Sequence, residues 1–253
     1  MPIRRDFTFT SAAGRRLRAF YAEPEVVGEP PAPLPAVIVI HEIMGLNDDI
    51  RNIATRFADN GYVALAPDLV GDGFRPYCIA RFMNGMRRVG RGRPYREMRA
   101  FQDWLTLRPI VDADRVGMAG FCAGGGFAIL YAARGERELR AIAPFYGAMP
   151  ADASIIPDLC PVVASYGARD ATFGSVGPKL EAALDAAAIP NDVRTYADAG
   201  HSFMNHHDGL LAKMAPLLPM RAGFREEAAE DAWRRVLAFF GEHLAARGAT
   251  TGS

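Results

Sequence analysis

The chain has 253 residues, half of them hydrophobic, and 29 basic side chains balance 29 acidic ones. That length and apolar content suit one large α/β domain with a sizeable core. A net charge of zero offers no electrostatic footprint for nucleic acid or an anionic membrane. Cys78, Cys122 and Cys160 are too few and too irregularly spaced for a disulfide framework, which points to a reducing, cytoplasmic setting. The charged start, Met-Pro-Ile-Arg-Arg-Asp-Phe, has no apolar stretch behind it as a signal peptide would, and no run is long enough to span a bilayer.

In chain order, residues 6–10 and 15–22 alternate in polarity around Ala-Ala-Gly, the pattern of a β-hairpin. A Pro-rich loop at 29–35 leads into Ala-Val-Ile-Val-Ile-His at 36–41, a continuous apolar run expected of a strand covered on both faces. Residues 48–60 form an amphipathic helix stopped by Gly61, and 62–68 form the next buried strand. From about 69 to 94 periodicity fades into Arg, Gly and Met, and we expect an irregular excursion or partial cap there. A helix over 96–107 follows. Beyond the segment around Cys122, strands are expected at 141–146, 161–166 and 191–196, and helices at 178–188 and 224–246. The tail 247–253 should fray. The alternation implies a mostly parallel, doubly wound sheet with an antiparallel N-terminal hairpin, all within one domain over residues 1–253.

The segment from Arg115 to Tyr131 reads as an apolar strand, a tight turn and an apolar helix, with Cys122 at the turn between Gly120 and Gly124. G-x-C-x-G has the form of a nucleophile elbow, with sulfur where oxygen is usual. The glycines are needed because the chain doubles back at the turn, where a Cβ on either side would collide. The helix behind Cys122 aims its N-terminal N–H groups at the sulfur. A free cysteine is more often a small buried hydrophobe, so the elbow needs partners. Glu42, Asp170 and His201 each fall just after an expected strand, as Cys122 does, and ligand sites of such sheets lie at the carboxyl ends of the strands. The order of nucleophile, acid and histidine is that of hydrolases with this elbow. His201 would take the thiol proton, and Asp170 would hold its tautomer. Rivals exist: His41, His206, His207 and His243 are alternative bases, Asp198 an alternative acid, and Asp170 could equally cap the segment after it.

The pieces His41-Glu-Ile-Met-Gly-Leu-Asn47, Tyr62-Val-Ala-Leu-Ala-Pro-Asp-Leu69, Gly120-Phe-Cys-Ala-Gly-Gly125, Tyr166-Gly-Ala-Arg-Asp170 and Gly200-His-Ser-Phe203 together resemble the dienelactone hydrolase family of the α/β-hydrolase fold. The resemblance implies a carboxylic-ester or lactone hydrolase with a Cys122, His201 and Asp170 triad and an acyl-enzyme. It implies that Glu42 contacts the resting thiol, and that the backbone N–H groups of Ile43 and Ala123 form the oxyanion hole. Ala123 suits that role chemically, because it opens the helix behind the nucleophile. No cofactor or metal is implied, and the partner is a small-molecule ester or lactone. The family's dienelactone-cleaving members bind the substrate carboxylate partly through an arginine shortly after the histidine, where this chain has Asn205. Arg81 is a possible match for a second arginine, with Arg75, Arg87, Arg88, Arg91 and Arg93 equally available and a solvated surface the plainer reading for most of them. Phe203, Asn205 and His206 are then expected to contact substrate, with His207 and Met204 beside them. A non-catalytic binding protein on the same fold, and an acyltransferase or thioesterase, are the rival readings.

Overall fold

A computed structural model describes residues 2–26, 28, 32–134, 138–207 and 219–246. Eight strands form one sheet: β1 (Arg4–Thr10), β2 (Arg16–Ala22), β3 (Leu34–Ile40), β4 (Val63–Pro67), β5 (Val111–Phe121), β6 (Ala141–Phe145), β7 (Val162–Gly167) and β8 (Asn191–Tyr196). Their order is β1-β2-β4-β3-β5-β6-β7-β8. β1 pairs antiparallel with β2 and β2 with β4, while every pairing from β4 to β8 is parallel. Six α-helices are described: α1 (Asp48–Asp59), α2 (Arg75–Met86), α3 (Arg93–Thr106), α4 (Ala123–Arg134), α5 (Val176–Ala186) and α6 (Glu226–His243). No helix among the described residues is long and apolar enough to cross a membrane.

The central strands are apolar on both sides because both faces are covered. Along β3, Ile38 and Ile40 pack with α2–α5 residues such as Phe82, Phe101, Phe127 and Leu180. The intervening Val37 and Val39 pack with Phe57 of α1 and with Trp233 and Phe240 of α6. This is the period-2 alternation of a strand between two helical layers. Local signals place the helix ends. The Asn47 side chain caps α1 by accepting from the Ile50 N–H at 3.0 Å, and Asp48 and Asp49 complement the dipole in its first turn.

The excursion after β4 departs from expectation, since it carries the twelve-residue helix α2 and the start of α3. Gly85 and Gly92 let these two helices meet: a Cβ on Gly85 would lie 2.5 Å from Pro94 Cδ, and one on Gly92 would lie 1.9 Å from the Gly85 carbonyl oxygen. α3 therefore begins at Arg93, and α6 is shorter than the expected 224–246. Part of the Pro-rich loop and the whole tail 247–253 lie outside the described residues.

Candidate active site

β5 ends at Phe121, and Cys122 follows with φ +54°, a left-handed backbone that costs a non-glycine residue about 1–3 kcal/mol. The turn is held there on both sides. The Cys122 N–H donates to the Phe145 carbonyl at 3.0 Å, and its carbonyl accepts from the Gly125 N–H at 3.0 Å. A Cβ on Gly120 would lie 2.2 Å from the Gly124 oxygen, and one on Gly124 would lie 2.6 Å from the carbonyl oxygens of Ile40 and His41. The elbow thus rests directly against the end of β3, which delivers Glu42 and Ile43 to the same rim.

Asp170 and His201 arrive at the same rim on loops pressed together beyond the ends of β7 and β8. A Cβ on Gly167 would lie 2.3 Å from the Gly200 oxygen, and the Arg169 N–H donates to the Ala199 carbonyl at 2.9 Å. His201 is pinned by its N–H on the Met220 carbonyl at 2.9 Å. Its Nδ1 lies 2.6 Å from Asp170 Oδ2, both side chains being buried. Asp170 Oδ1 accepts from the N–H groups of Thr172 and Phe173 at 2.9 and 3.1 Å, so one oxygen caps the loop and the other orients the imidazole. Burial alone would raise the Asp170 carboxyl; the bond to His201 and these N–H groups outweigh it and hold it below its usual range. Burial likewise opposes charge on His201, but Asp170 and the Cys122 sulfur raise the ring to about 9. Nε2 makes no hydrogen bond among the described residues. Phe173 and Tyr146 pack near the imidazole, with ring centroids at 5.3 and 5.0 Å.

Glu42 is buried, but its oxygens engage the histidine loop, not the sulfur. Oε1 accepts from Ser202 Oγ at 2.5 Å, and Oε2 lies 3.3 Å from His207 Nε2. Burial pushes its carboxyl up against the opposing pull of His207 and Ser202. Among the described residues no hydrogen bond joins Glu42 to the Cys122 thiol as expected; Glu42 instead meets Ser202, one residue beyond His201. The Ile43 and Ala123 N–H groups are not taken up by any hydrogen bond among the described residues.

The expected substrate contacts are redistributed. Phe203 is fully buried, with its ring 5.4 Å from Tyr146 and 5.2 Å from Tyr196, and Met204 is buried too, so neither offers surface to a ligand. Asn205 is equally enclosed: it accepts from the Tyr146 hydroxyl and donates to Asp49 Oδ2 at 2.6 Å. Ser202 explains this inward turn, because its φ of +53° folds the chain after His201 back into the body. His206 is exposed, stacked on Phe224 at 3.8 Å, with its N–H on Asp49. Arg81 is tied to the Val70 carbonyl and lies over the Tyr77 ring. Of the rivals, His41 is fully buried and structural, donating Nδ1–H to the Glu42 carbonyl and accepting the Leu69 N–H on Nε2, with burial lowering its basicity. Asp198 pairs with Arg169 at the surface, and His243 packs on Phe239. Tyr146, Phe173, Ser202 and Asp49 were not anticipated from the sequence. Only Ser202, inside the Gly-His-Ser-Phe motif, carried a local signal. Among the described residues no cluster of His, Cys, Asp and Glu is arranged to hold a metal ion.

The dienelactone hydrolase family model matches residues 17–244. The chain belongs to the dienelactone hydrolase family. It is 30% identical over 256 residues to a Salmonella typhimurium protein named "Putative carboxymethylenebutenolidase", an alignment covering 95% of this chain and 88% of the relative. A protein of the same name from Escherichia coli is 30% identical over 94% of this chain and 86% of its own length. Among solved structures, a dienelactone hydrolase-like promiscuous phosphotriesterase from metagenomic libraries is similar at 26% identity and a TM-score of 0.78, covering 96% of this chain and 98% of that one. The family is one of hydrolases, and the chain carries its α/β-hydrolase sheet with the antiparallel hairpin at one edge.

Proposed function

We propose that the protein hydrolyses a carboxylic ester or lactone through a Cys122, His201 and Asp170 triad and an acyl-enzyme. The observation that carries this reading is the 2.6 Å bond between Asp170 Oδ2 and His201 Nδ1, set beside a Cys122 elbow in the left-handed region. With Nδ1–H held by the carboxylate, Nε2 is the nitrogen that exchanges protons with Cys122. The sulfur attacks the carbonyl carbon, and the Ile43 and Ala123 N–H groups receive the oxyanion. The bond to the leaving oxygen breaks as His201 returns the proton to it. Water, deprotonated by His201, then cleaves the thioester, releasing the acid and restoring the thiol.

Glu42 governs when the thiol ionises, acting through the Ser202 and His207 contacts that keep a buried carboxylate beside the histidine loop. The free thiols of Cys78, Cys122 and Cys160 support a reducing compartment such as the cytoplasm, and the single continuous sheet supports one domain. The test is a panel of short esters, lactones and a phosphotriester against wild type and Cys122→Ala, with a competing alcohol in one arm. Wild-type turnover to free acid, lost by several orders of magnitude in Cys122→Ala at unchanged Tm, is the expected result. Retained activity in the variant would remove the cysteine mechanism. Ester formation with the alcohol as main product would make the protein an acyltransferase, and no acylation of Cys122 by any substrate would make it a binding protein.

A further inference from the structure

A net charge of zero conceals a segregation of charge along the chain. Between Gly73 and Arg96 stand seven arginines and no acidic residue, so the rest of the chain carries seven more acidic than basic side chains. The acids that bracket this stretch are already engaged. Asp72 pairs with Arg18, and Glu97 is buried between Arg15 and Arg93. Arg75, Arg87, Arg88 and Arg91 are exposed, and none of them forms an ion pair among the described residues. Their charges therefore combine into one positive field over α2 and the turn into α3.

The same stretch leaves large apolar side chains in the open. Phe74 is 76% exposed and Tyr77 62%, and Met83 and Val89 are exposed as well. Met44, 53% exposed, joins them from the loop after β3. That loop lies alongside the start of α2, because the Arg75 guanidinium is 3.5 Å from where a Gly45 Cβ would stand. Along α2, Tyr77, Ala80, Asn84 and Arg87 follow at spacings of three and four and face outward, opposite the buried Cys78, Phe82 and Met86. At 1.5 Å per residue the helix carries this face for about 18 Å. Contiguous apolar surface of this kind marks an interaction site.

We propose that this face docks on an anionic lipid bilayer. Phe74, Tyr77 and Met44 enter the interfacial layer, while Arg75, Arg87, Arg88 and Arg91 lie among the lipid phosphates. A helix that combines arginines with aromatic side chains suits that boundary, because the rings find an apolar medium and the guanidinium groups an anionic one. Other occupants satisfy less of the surface. A nucleic acid would neutralise the arginines but offer Met44, Met83 and Val89 no apolar medium. A second copy of the chain, related by a twofold axis, would bring the arginines of both copies together. Docking in this way sets the loop of Glu42 and Ile43 beside the bilayer, where lipophilic esters collect. The inference stands on surface chemistry and not on the cysteine reading.

The test is flotation of the full chain with phosphatidylcholine vesicles, with and without phosphatidylglycerol. Binding should need the anionic lipid and should fall at least about tenfold near 1 M salt, where the screening length shrinks to about 3 Å. Each arginine at such a surface is worth about fivefold in partitioning. A triple variant, Arg87→Gln with Arg88→Gln and Arg91→Gln, should therefore bind about a hundredfold more weakly. Phe74→Ser with Tyr77→Ser should bind at least about tenfold more weakly. Circular dichroism and Tm confirm that each variant folds. Phe74→Trp should add emission that shifts to the blue on anionic vesicles and is quenched by brominated acyl chains, measured against the wild-type signal of Trp104 and Trp233. Cys122→Ala should bind as wild type does, which separates this result from any failure of the triad. Binding that is absent, equal on both vesicle types, or unchanged in both multiple variants would overturn the docking face. So would Phe74→Trp emission that neither shifts nor is quenched. Tighter binding to a single-stranded oligonucleotide than to vesicles would reassign the face to nucleic acid, and a dimer abolished by Phe74→Ser with Tyr77→Ser would reassign it to a second copy.

Discussion

Asp170→Asn separates two jobs that one carboxylate performs. Oδ1 caps the Thr172 and Phe173 N–H groups, and an asparagine carbonyl can keep both bonds. Oδ2 holds His201 at 2.6 Å, and there the substitution puts an NH₂ group against an N–H. The ring must turn over its tautomer to avoid a donor facing a donor, and Nε2 then carries a proton and cannot accept one from Cys122. A comparable loss of tautomer costs about 10⁴-fold in kcat. The charge has a second, pH-dependent effect. His201 is raised from 6.5 to about 9. At 1.36 kcal/mol per unit this corresponds to about 3 kcal/mol of stability, fully present below pH 6.5 and lost as pH rises through about 9. Urea unfolding at pH 6 and at pH 10 should show that loss in wild type and a much smaller one in Asp170→Asn. Asp170→Ala, which removes the cap as well, should cost about a further 1 kcal/mol at either pH. Asparagine protein that keeps most of its kcat/KM, or that is as unstable as the alanine protein with an unchanged pH slope, would show that Asp170 serves the loop and not the histidine.

Glu42→Gln should shift the pH profile of iodoacetamide alkylation at Cys122, because it removes a buried charge held by Ser202 and His207; a superimposable profile would refute the regulatory role. Gly124→Ala should grossly destabilise the protein, by roughly 3 kcal/mol or more in urea titration, because its Cβ would meet the backbone carbonyl oxygens of Ile40 and His41, at the end of β3, at 2.6 Å. With Asn205 enclosed and Arg81 tied to Val70, a neutral methyl-ester lactone should be cleaved at least as well as its carboxylate analogue. A strong preference for the anion, abolished by Arg81→Ala, would contradict that.

How much of the fold was legible depended on what each segment touches. The strands β3 and β4 are covered on both faces, and their unbroken apolar runs announced it; β5 is buried in the same way only from Val116 onward. α1 was legible from its amphipathic pattern and the Gly61 that stops it. α2 was not, although Cys78, Phe82 and Met86 fall four apart and are buried. Phe74, Tyr77 and Met83 occupy the side that should be polar, and they remain exposed. No side chain caps the helix start. A helix whose outer face is apolar has no two-sided pattern to read, and its existence follows from contacts with α3 and α4 that single-sequence periodicity does not contain.

The same distinction separates Cys122, Asp170 and His201 from the expected substrate contacts. Cys122 follows β5 directly, and Asp170 and His201 come three and five residues after the ends of β7 and β8, so the sheet delivers them to one rim and their order along the chain was legible. Residues 203–205 lie two to four positions beyond His201, where a single dihedral decides the outcome. Ser202 adopts φ +53° without being glycine, and the sequence gives no sign of that turn. It directs Phe203 and Asn205 inward, where one fills the core under Tyr146 and the other bridges Tyr146 to Asp49. The same turn brings the Ser202 hydroxyl onto Glu42 and so ties the His201 loop to the segment after β3. Packing between segments remote in sequence leaves still less of a local signal: the end of α2 and the stretch after β6 meet over α4 around a cavity, and neither has a motif that points to the other.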